Sequence, residues 1–227
     1  MSIENYLIGF GTSFLFALAT LLPILNPTAT APIFLSLTTG ASSSTRAILA
    51  RRIGRNVFLL LATAMIGGSV VLNFFGISLP VVRVAGGLLV ATTAWRLLNS
   101  NDAGMQRAVE MAEGYTPEMA KKQAFYPLTF PIACGPGSIA AAITVGASLH
   151  DPVMSLRAAR LAGALPALLL IGLAVFICLR FALQLLKPLG ESGTAVFMRL
   201  MAFLLLCLGF QIMWDGLYEL FRQLQAS

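Results

Sequence analysis

Six stretches of this chain are almost purely apolar, at about 7–39, 57–76, 80–98, 123–149, 158–186 and 195–218. Each approaches or exceeds the about 20 residues that a helix needs to cross a bilayer. Inside hydrocarbon a backbone must satisfy its own hydrogen bonds, so such stretches become helices rather than open strands. Composition agrees: 58% of the 227 residues are apolar and 11% are charged. A soluble domain carries roughly 25% charge, so a water-soluble globule is excluded. Intrinsic disorder, which needs low hydrophobicity, is excluded as well. The partner that this composition demands is the lipid bilayer. The net charge of +6 would point to nucleic acid in a soluble protein. Here it reads as Lys and Arg anchoring loops, and no nucleic-acid partner is expected. Cys134, Cys178 and Cys207 sit in apolar stretches without metal-type spacing, and read as small core residues. The N-terminal stretch has an acid, Glu4, and no basic residue before the first segment. That segment is therefore expected to be a retained span rather than a signal peptide.

The bases fall unevenly between the loops. Arg46, Arg51, Arg52 and Arg55 follow segment one, Arg107, Lys121 and Lys122 follow segment three, and Lys187 follows segment five. The opposite side carries Arg157, Arg160 and Arg222. The positive-inside rule puts the first group in the cytoplasm and both termini outside. Arg83, Arg96, Arg180 and Arg199 lie within or at the ends of spans. Arg83 and Arg199 read either as gating or pairing residues or as anchors snorkelling to the interface. Segment 99–122, with Asp102, Glu110, Glu113 and Glu118, alone has soluble composition. It predicts a short surface helix starting near Thr116-Pro117-Glu118.

Segments one and four are irregular. The first is about 33 residues long and holds Pro23, Pro27 and Pro32; the fourth holds Pro127, Pro131 and Gly135-Pro136-Gly137. The breaks Asn26-Pro27-Thr28-Ala29 and Gly135-Pro136-Gly137-Ser138 align 109 residues apart. Arg83-Val84-Ala85-Gly86 and Arg199-Leu200-Met201-Ala202 align 116 residues apart. Three spans per half force the second half to enter from the opposite side. The prediction is an all-α membrane fold of six transmembrane helices in two inverted three-helix repeats, with helices one and four broken. Residues 1–98 form the first repeat, 99–122 a cytoplasmic loop, and 123–227 the second repeat. Paired interrupted helices in such repeats mark the substrate site of many secondary transporters.

A proline cannot donate a backbone hydrogen bond, so each break frees carbonyls and starts a new half-helix. Asn26 stands where an N-cap belongs, with Pro27 at the first helical position. Free N–H groups at Thr28 and Ala29 are expected to favour a carboxylate. Gly135 and Gly137 allow close approach of a ligand to the backbone. The candidate substrate-binding residues are therefore Asn26, Pro27, Thr28 and Thr30 in one half, and Gly135, Pro136, Gly137 and Ser138 in the other. Thr129 adds a hydroxyl. No Asp, Glu, Lys, Arg or His is expected near the midplane, which favours a small neutral or zwitterionic solute over a strongly charged one. Asp215 reads as an acid inside a span near the outer interface, either as a cap beside Trp214 and Gly216 or as a functional group. His150-Asp151-Pro152 reads as a loop turn. Ala85-Gly86-Gly87 and Gly67-Gly68 read as packing surfaces, and Trp95, Trp214 and Tyr218 as interfacial aromatics. With no embedded His or acid to activate a hydroxyl, no enzymatic activity is expected, and no metal site or cofactor.

Taken together, these motifs resemble the MarC family of bacterial inner-membrane proteins, also described as neutral amino-acid transporters. The match rests on Leu22-Pro23-x-x-Asn26-Pro27 with Pro32-Ile33-Phe34-Leu35, and on Phe75-Gly76-Ile77-Ser78-Leu79-Pro80 leading to Arg83-Val84-Ala85-Gly86-Gly87-Leu88. It continues through Pro127-Leu128, Gly135-Pro136-Gly137-Ser138-Ile139-Ala140, Arg199-Leu200-Met201 and Gly209-x-Gln211. The resemblance implies six spans in two inverted repeats, with both termini in the periplasm. It implies transport of small neutral amino acids such as glycine and alanine, driven by an ion gradient, H+ or Na+. The Asn-Pro and Gly-Pro-Gly motifs would carry binding. An amino-acid or drug exporter, or a non-transporting membrane protein of the family, are the alternatives. Ala202, Asp215-Gly216 and Cys134 depart from the family pattern, which expects glycine, Asn-Gly and alanine.

Overall fold

The computed structural model describes residues 3–38, 41–99, 124–149, 151 and 153–226, and among these all regular structure is helical. In chain order come α1 (Ile3–Leu25), α2 (Pro27–Leu37), α3 (Ser43–Phe74) and α4 (Leu79–Leu98). A π-helical turn (Leu128–Ala133) precedes α5 (Pro136–Ser148). Then follow α6 (Met154–Arg180), α7 (Ala182–Leu186), a 3₁₀ turn (Lys187–Leu189) and α8 (Gly190–Ala226). Three stretches are long and apolar enough to cross a membrane: Tyr6–Leu35, Met154–Arg180 and Ser192–Gln225. Pro136–Ser148 is apolar but shorter.

Several boundaries differ from the sequence expectation. α3 begins at Ser43, capped by the Ser42 hydroxyl accepting the Thr45 N–H at 3.1 Å. Arg46, Arg51, Arg52 and Arg55 are therefore on its first turns, not in a loop. Hydropathy excludes them from a span, but arginine is a good helix former, so the helix runs on past the apolar stretch. α8 likewise extends to Ala226 and carries Glu219 besides Asp215. Pro23 and Pro32 lie inside α1 and α2; the chain breaks only at Asn26. The expected surface helix near Thr116-Pro117-Glu118, and His150 and Pro152, lie outside the described residues.

The interior is built on α3 and α6. Leu49, Ile53, Val57, Leu61 and Met65 of α3 and Leu168, Ile171 and Leu179 of α6 are fully buried. The two helices run antiparallel and cross at glycines. A Cβ on Gly54 would stand 2.6 Å from the Gly172 carbonyl oxygen, and one on Gly172 would stand 2.7 Å from that of Gly54. α4 and α8 form a second antiparallel pair of the same kind. Gly87 lies so close that a Cβ would be 2.6 Å from the Gly209 carbonyl, and the reverse distance is 2.9 Å. Small residues let backbones touch where a hydrophobic drive between helices is missing. Arg83 of α4 pairs with Glu219 of α8, so Arg83 is a pairing residue. Asp215 accepts a hydrogen bond from Gln211 at 2.8 Å, one turn earlier on the same helix. Arg160 and Asp151 form a further ion pair at 3.1 Å.

Many outward-facing residues along the helices are large and apolar. Leu7, Ile8, Leu15, Ile66, Val70, Leu170, Leu173, Phe203 and Phe210 are exposed. A soluble monomer does not present so continuous an apolar surface; a protein solvated by lipid does.

Candidate functional site

The interrupted helices come together, and a cavity of about 380 Å³ opens where they meet. At the first break Asn26 takes a left-handed backbone (φ 44). Asn is among the few side chains that tolerate this region, because its short amide can bond locally. The Asn26 side-chain oxygen accepts the Thr28 hydroxyl at 3.0 Å and the Ala29 N–H at 3.3 Å. Its backbone carbonyl accepts from the Ala29 and Thr30 N–H groups at 3.1 and 3.3 Å. Asn26 is thus the hinge between α1 and α2 and the N-cap of α2 at once. This corrects one expectation: the Ala29 N–H is already taken and is not free for a ligand. Asn26→Ala is expected to cost about 2 kcal/mol, from the lost cap and the left-handed strain. Asn26→Gly should cost well under about 1 kcal/mol, because glycine accepts the backbone angle. Thermal unfolding of both variants in detergent checks the order.

At the second break Phe130 is extended (φ −111, ψ 124) ahead of Pro131, as the residue before a proline prefers. α5 then starts at Pro136 with Gly135 extended at its N-cap. The π turn ends at Ala133, with Cys134 (φ −136, ψ 88) and Gly135 non-helical, and such a helix end leaves its last carbonyls short of intrahelical donors. Thr129, fully buried, donates to the Ala124 carbonyl at 2.6 Å and accepts Asn56 Nδ2 at 3.3 Å. It ties the π turn to α3 and does not line the cavity.

Of the eight candidate residues, the structure brings Asn26, Thr30, Gly135, Pro136, Gly137 and Ser138 into the cavity wall. Pro27 and Thr28 are outside it, Pro27 buried in the helix start and Thr28 turned back onto Asn26. Gly137 is present for packing: a Cβ there would lie 2.2 Å from Val90 Cγ2. Gly135 has room, its nearest neighbour being the Pro131 carbonyl oxygen at 3.3 Å. Ser138 is 5% exposed and its hydroxyl has no partner among the described residues.

The sequence reading missed the α4 wall. Val90, Thr93 and Arg96 line the cavity, with Ala202 and Leu205 of α8. Their spacing of three places them on one helix face, which is the signal that could have found them. Arg96, exposed two residues before the end of α4, adds a charge at the cavity's edge that the candidate residues did not include. It has no acidic partner among the described residues, and none of the cavity's lining residues is acidic. The described residues hold no cluster of His, Cys, Asp or Glu able to bind a metal.

Apolar helices with lipid-type surfaces, interrupted at paired prolines around an internal cavity, define a helical integral membrane protein. The family model for the MarC family integral membrane protein matches residues 11–221, and the chain belongs to that family. The inner membrane protein MarC of Salmonella typhimurium is 32% identical over 213 residues, covering 90% of this chain and 94% of the relative. That of Salmonella arizonae is 33% identical over 215 residues, covering 90% and 94%. That of Escherichia coli O1:K1 is 32% identical over 209 residues with the same coverage. The chain is therefore an integral protein of the bacterial inner membrane. No solved structure matches it.

Proposed function

We propose that this protein is a secondary transporter of small neutral amino acids, glycine- and alanine-like, working by alternating access between two inverted three-helix halves. The observation that carries the reading is the cavity where the two interrupted helices meet. Such sites bind solute at the interface of repeats. Its polar groups suit a zwitterion: Arg96 and the N-terminal end of α5 for a carboxylate, carbonyl ends for an ammonium. About 380 Å³ is near the lower end of ligand pockets and fits a small solute with some water.

The packing supports the inverted plan. Exchanging the halves maps α1–α2 onto the π turn and α5, α3 onto α6, and α4 onto α8. The α3–α6 and α4–α8 contacts then map onto themselves, α2–α6 onto α5–α3, and α4–α5 onto α8–α2; all occur. At the α3–α6 crossing Gly54-x-x-Val57-Phe58 recurs as Gly172-x-x-Val175-Phe176, 118 residues later. Each glycine meets the other segment's phenylalanine, at 3.0 and 3.2 Å for the built Cβ. Arg46, Arg51, Arg52 and Arg55 lie at the start of α3, and Arg180 and Lys187 lie at or just past the end of α6. These ends share one side of the antiparallel pair, which favours the cytoplasm there and periplasmic termini. In this mechanism α4 and α8 move as one body, and the cavity lies between them and the rest. The driving ion is H+ or Na+, with no other cofactor.

Cysteine accessibility tests the reading. With Cys134, Cys178 and Cys207 replaced, a cysteine at Ser138 is expected to react with a membrane-impermeant maleimide. Alanine or glycine should slow that reaction several-fold, and lysine should not. Labelling unaffected by any small amino acid would contradict it.

A further inference from the structure

We infer that the cavity selects its substrate by a carboxylate, held between Arg96 at its mouth and the Ser138 hydroxyl at its wall. The inference rests on the transport reading only for the identity of the solute; the anion preference stands on the cavity itself.

The cavity is rich in unclaimed donors. Arg96 lines it and has no ion-pair partner among the described residues. Ser138 lines it at 5% exposure, with a hydroxyl that has no partner among the described residues. Among the described residues no fully sealed side-chain nitrogen or oxygen is left without a partner, so what remains open at Ser138 opens on the cavity. Asn26 lines it too, and its oxygen is committed to Thr28 and Ala29 while its amide nitrogen has no described acceptor. Three residues with uncommitted donors thus line one space, Arg96 from its exposed mouth. The hydroxyls of Thr30 and Thr93 are already donating to the Asn26 and Leu89 carbonyls, so they contribute only acceptor lone pairs. With no acid among the lining residues, a cation would meet Arg96 without a counter-charge. A carboxylate would satisfy guanidinium, hydroxyl and amide together, and charge-assisted bonds to a guanidinium are the strong ones. Arg96 is therefore a specificity residue, and a solute without a carboxylate should be rejected.

The test uses purified full-length protein in detergent at constant ionic strength, with binding followed by thermal stabilisation. Alanine and lactate, which share a carboxylate, should both stabilise the wild type; alaninamide, which lacks it, should not. Arg96→Gln should weaken alanine binding on the order of ten- to a hundredfold, the value of one charged hydrogen-bonding group. Arg96→Lys should lose less. Ser138→Ala, which only removes an oxygen, should weaken binding several-fold and provides a second route should the arginine variant fail to fold. Stabilisation by alaninamide equal to that by alanine would overturn the inference. So would wild-type affinity in Arg96→Gln and Ser138→Ala, or no stabilisation by either carboxylate. Alanine counterflow by the wild type is scored separately. Carboxylate binding without counterflow would remove transport and leave the inference; counterflow indifferent to Arg96 would do the reverse.

Discussion

Gly146→Ala is expected to destabilise the folded protein by about 3 kcal/mol or more, while Gly67→Ala on the facing helix leaves it unchanged or slightly more stable. Both replace a helical glycine with a better helix former, so propensity alone favours both. Packing separates them. A Cβ on Gly146 would stand 1.8 Å from the Met65 carbonyl oxygen and 2.7 Å from the carbonyl carbon. Those are backbone atoms of α3 and cannot rotate aside as a side chain can. α3 would have to withdraw, and with it Val57, Leu61 and Met65, all within 1% of full burial. A Cβ on Gly67 meets nothing within 4 Å. Unfolding midpoints in detergent, together with monodispersity on size exclusion, give the comparison. Equal midpoints for the two variants would show that α3 and α5 are not in backbone contact.

The second large effect is functional. Gly135→Phe is expected to reduce alanine flux at least about a hundredfold while the protein still folds, since displacing a bound solute removes all of its binding energy. Gly135→Ala should keep the fold and lower flux less. The backbone of Gly135 (φ −78, ψ 172) is open to any residue, and its position borders the cavity with only the Pro131 carbonyl near. The neighbouring Gly137 is a poor probe, because a side chain there collides with Val90 and confuses misfolding with blockage. Flux in Gly135→Phe at the wild-type rate, from protein with a wild-type unfolding midpoint, would move the solute path away from the cavity.

Much of this architecture was legible in the sequence, and for a local reason. Proline and glycine act on the backbone within a turn of where they stand, so Asn26-Pro27 and Gly135-Pro136 mark the breaks without any tertiary information. Ser138 and Thr30 follow from their distance to those breaks. Arg96 did not follow. It lies 18 residues into α4, and which part of α4 meets the breaks depends on how that helix slides against α5 and α8. That register is set by Gly86, Gly87 and Gly209 pressing on their neighbours, which appears in the sequence only as small residues. The start of α3 was hidden differently: its arginines break the apolar run but not the helix. The Gly-x-x-Val-Phe repeat was open to inspection, but an alignment anchored on the prolines is offset from it by nine residues.

The central claim is that the cavity between the broken helices carries small neutral amino acids across the membrane. Counterflow of labelled alanine tests it most directly, because exchange needs no driving ion. Proteoliposomes preloaded with unlabelled alanine or glycine should accumulate label, and those preloaded with lysine or buffer should not. Absence of accumulation with every preload, from protein that folds and reconstitutes, would contradict the claim, and so would accumulation as strong with lysine as with alanine.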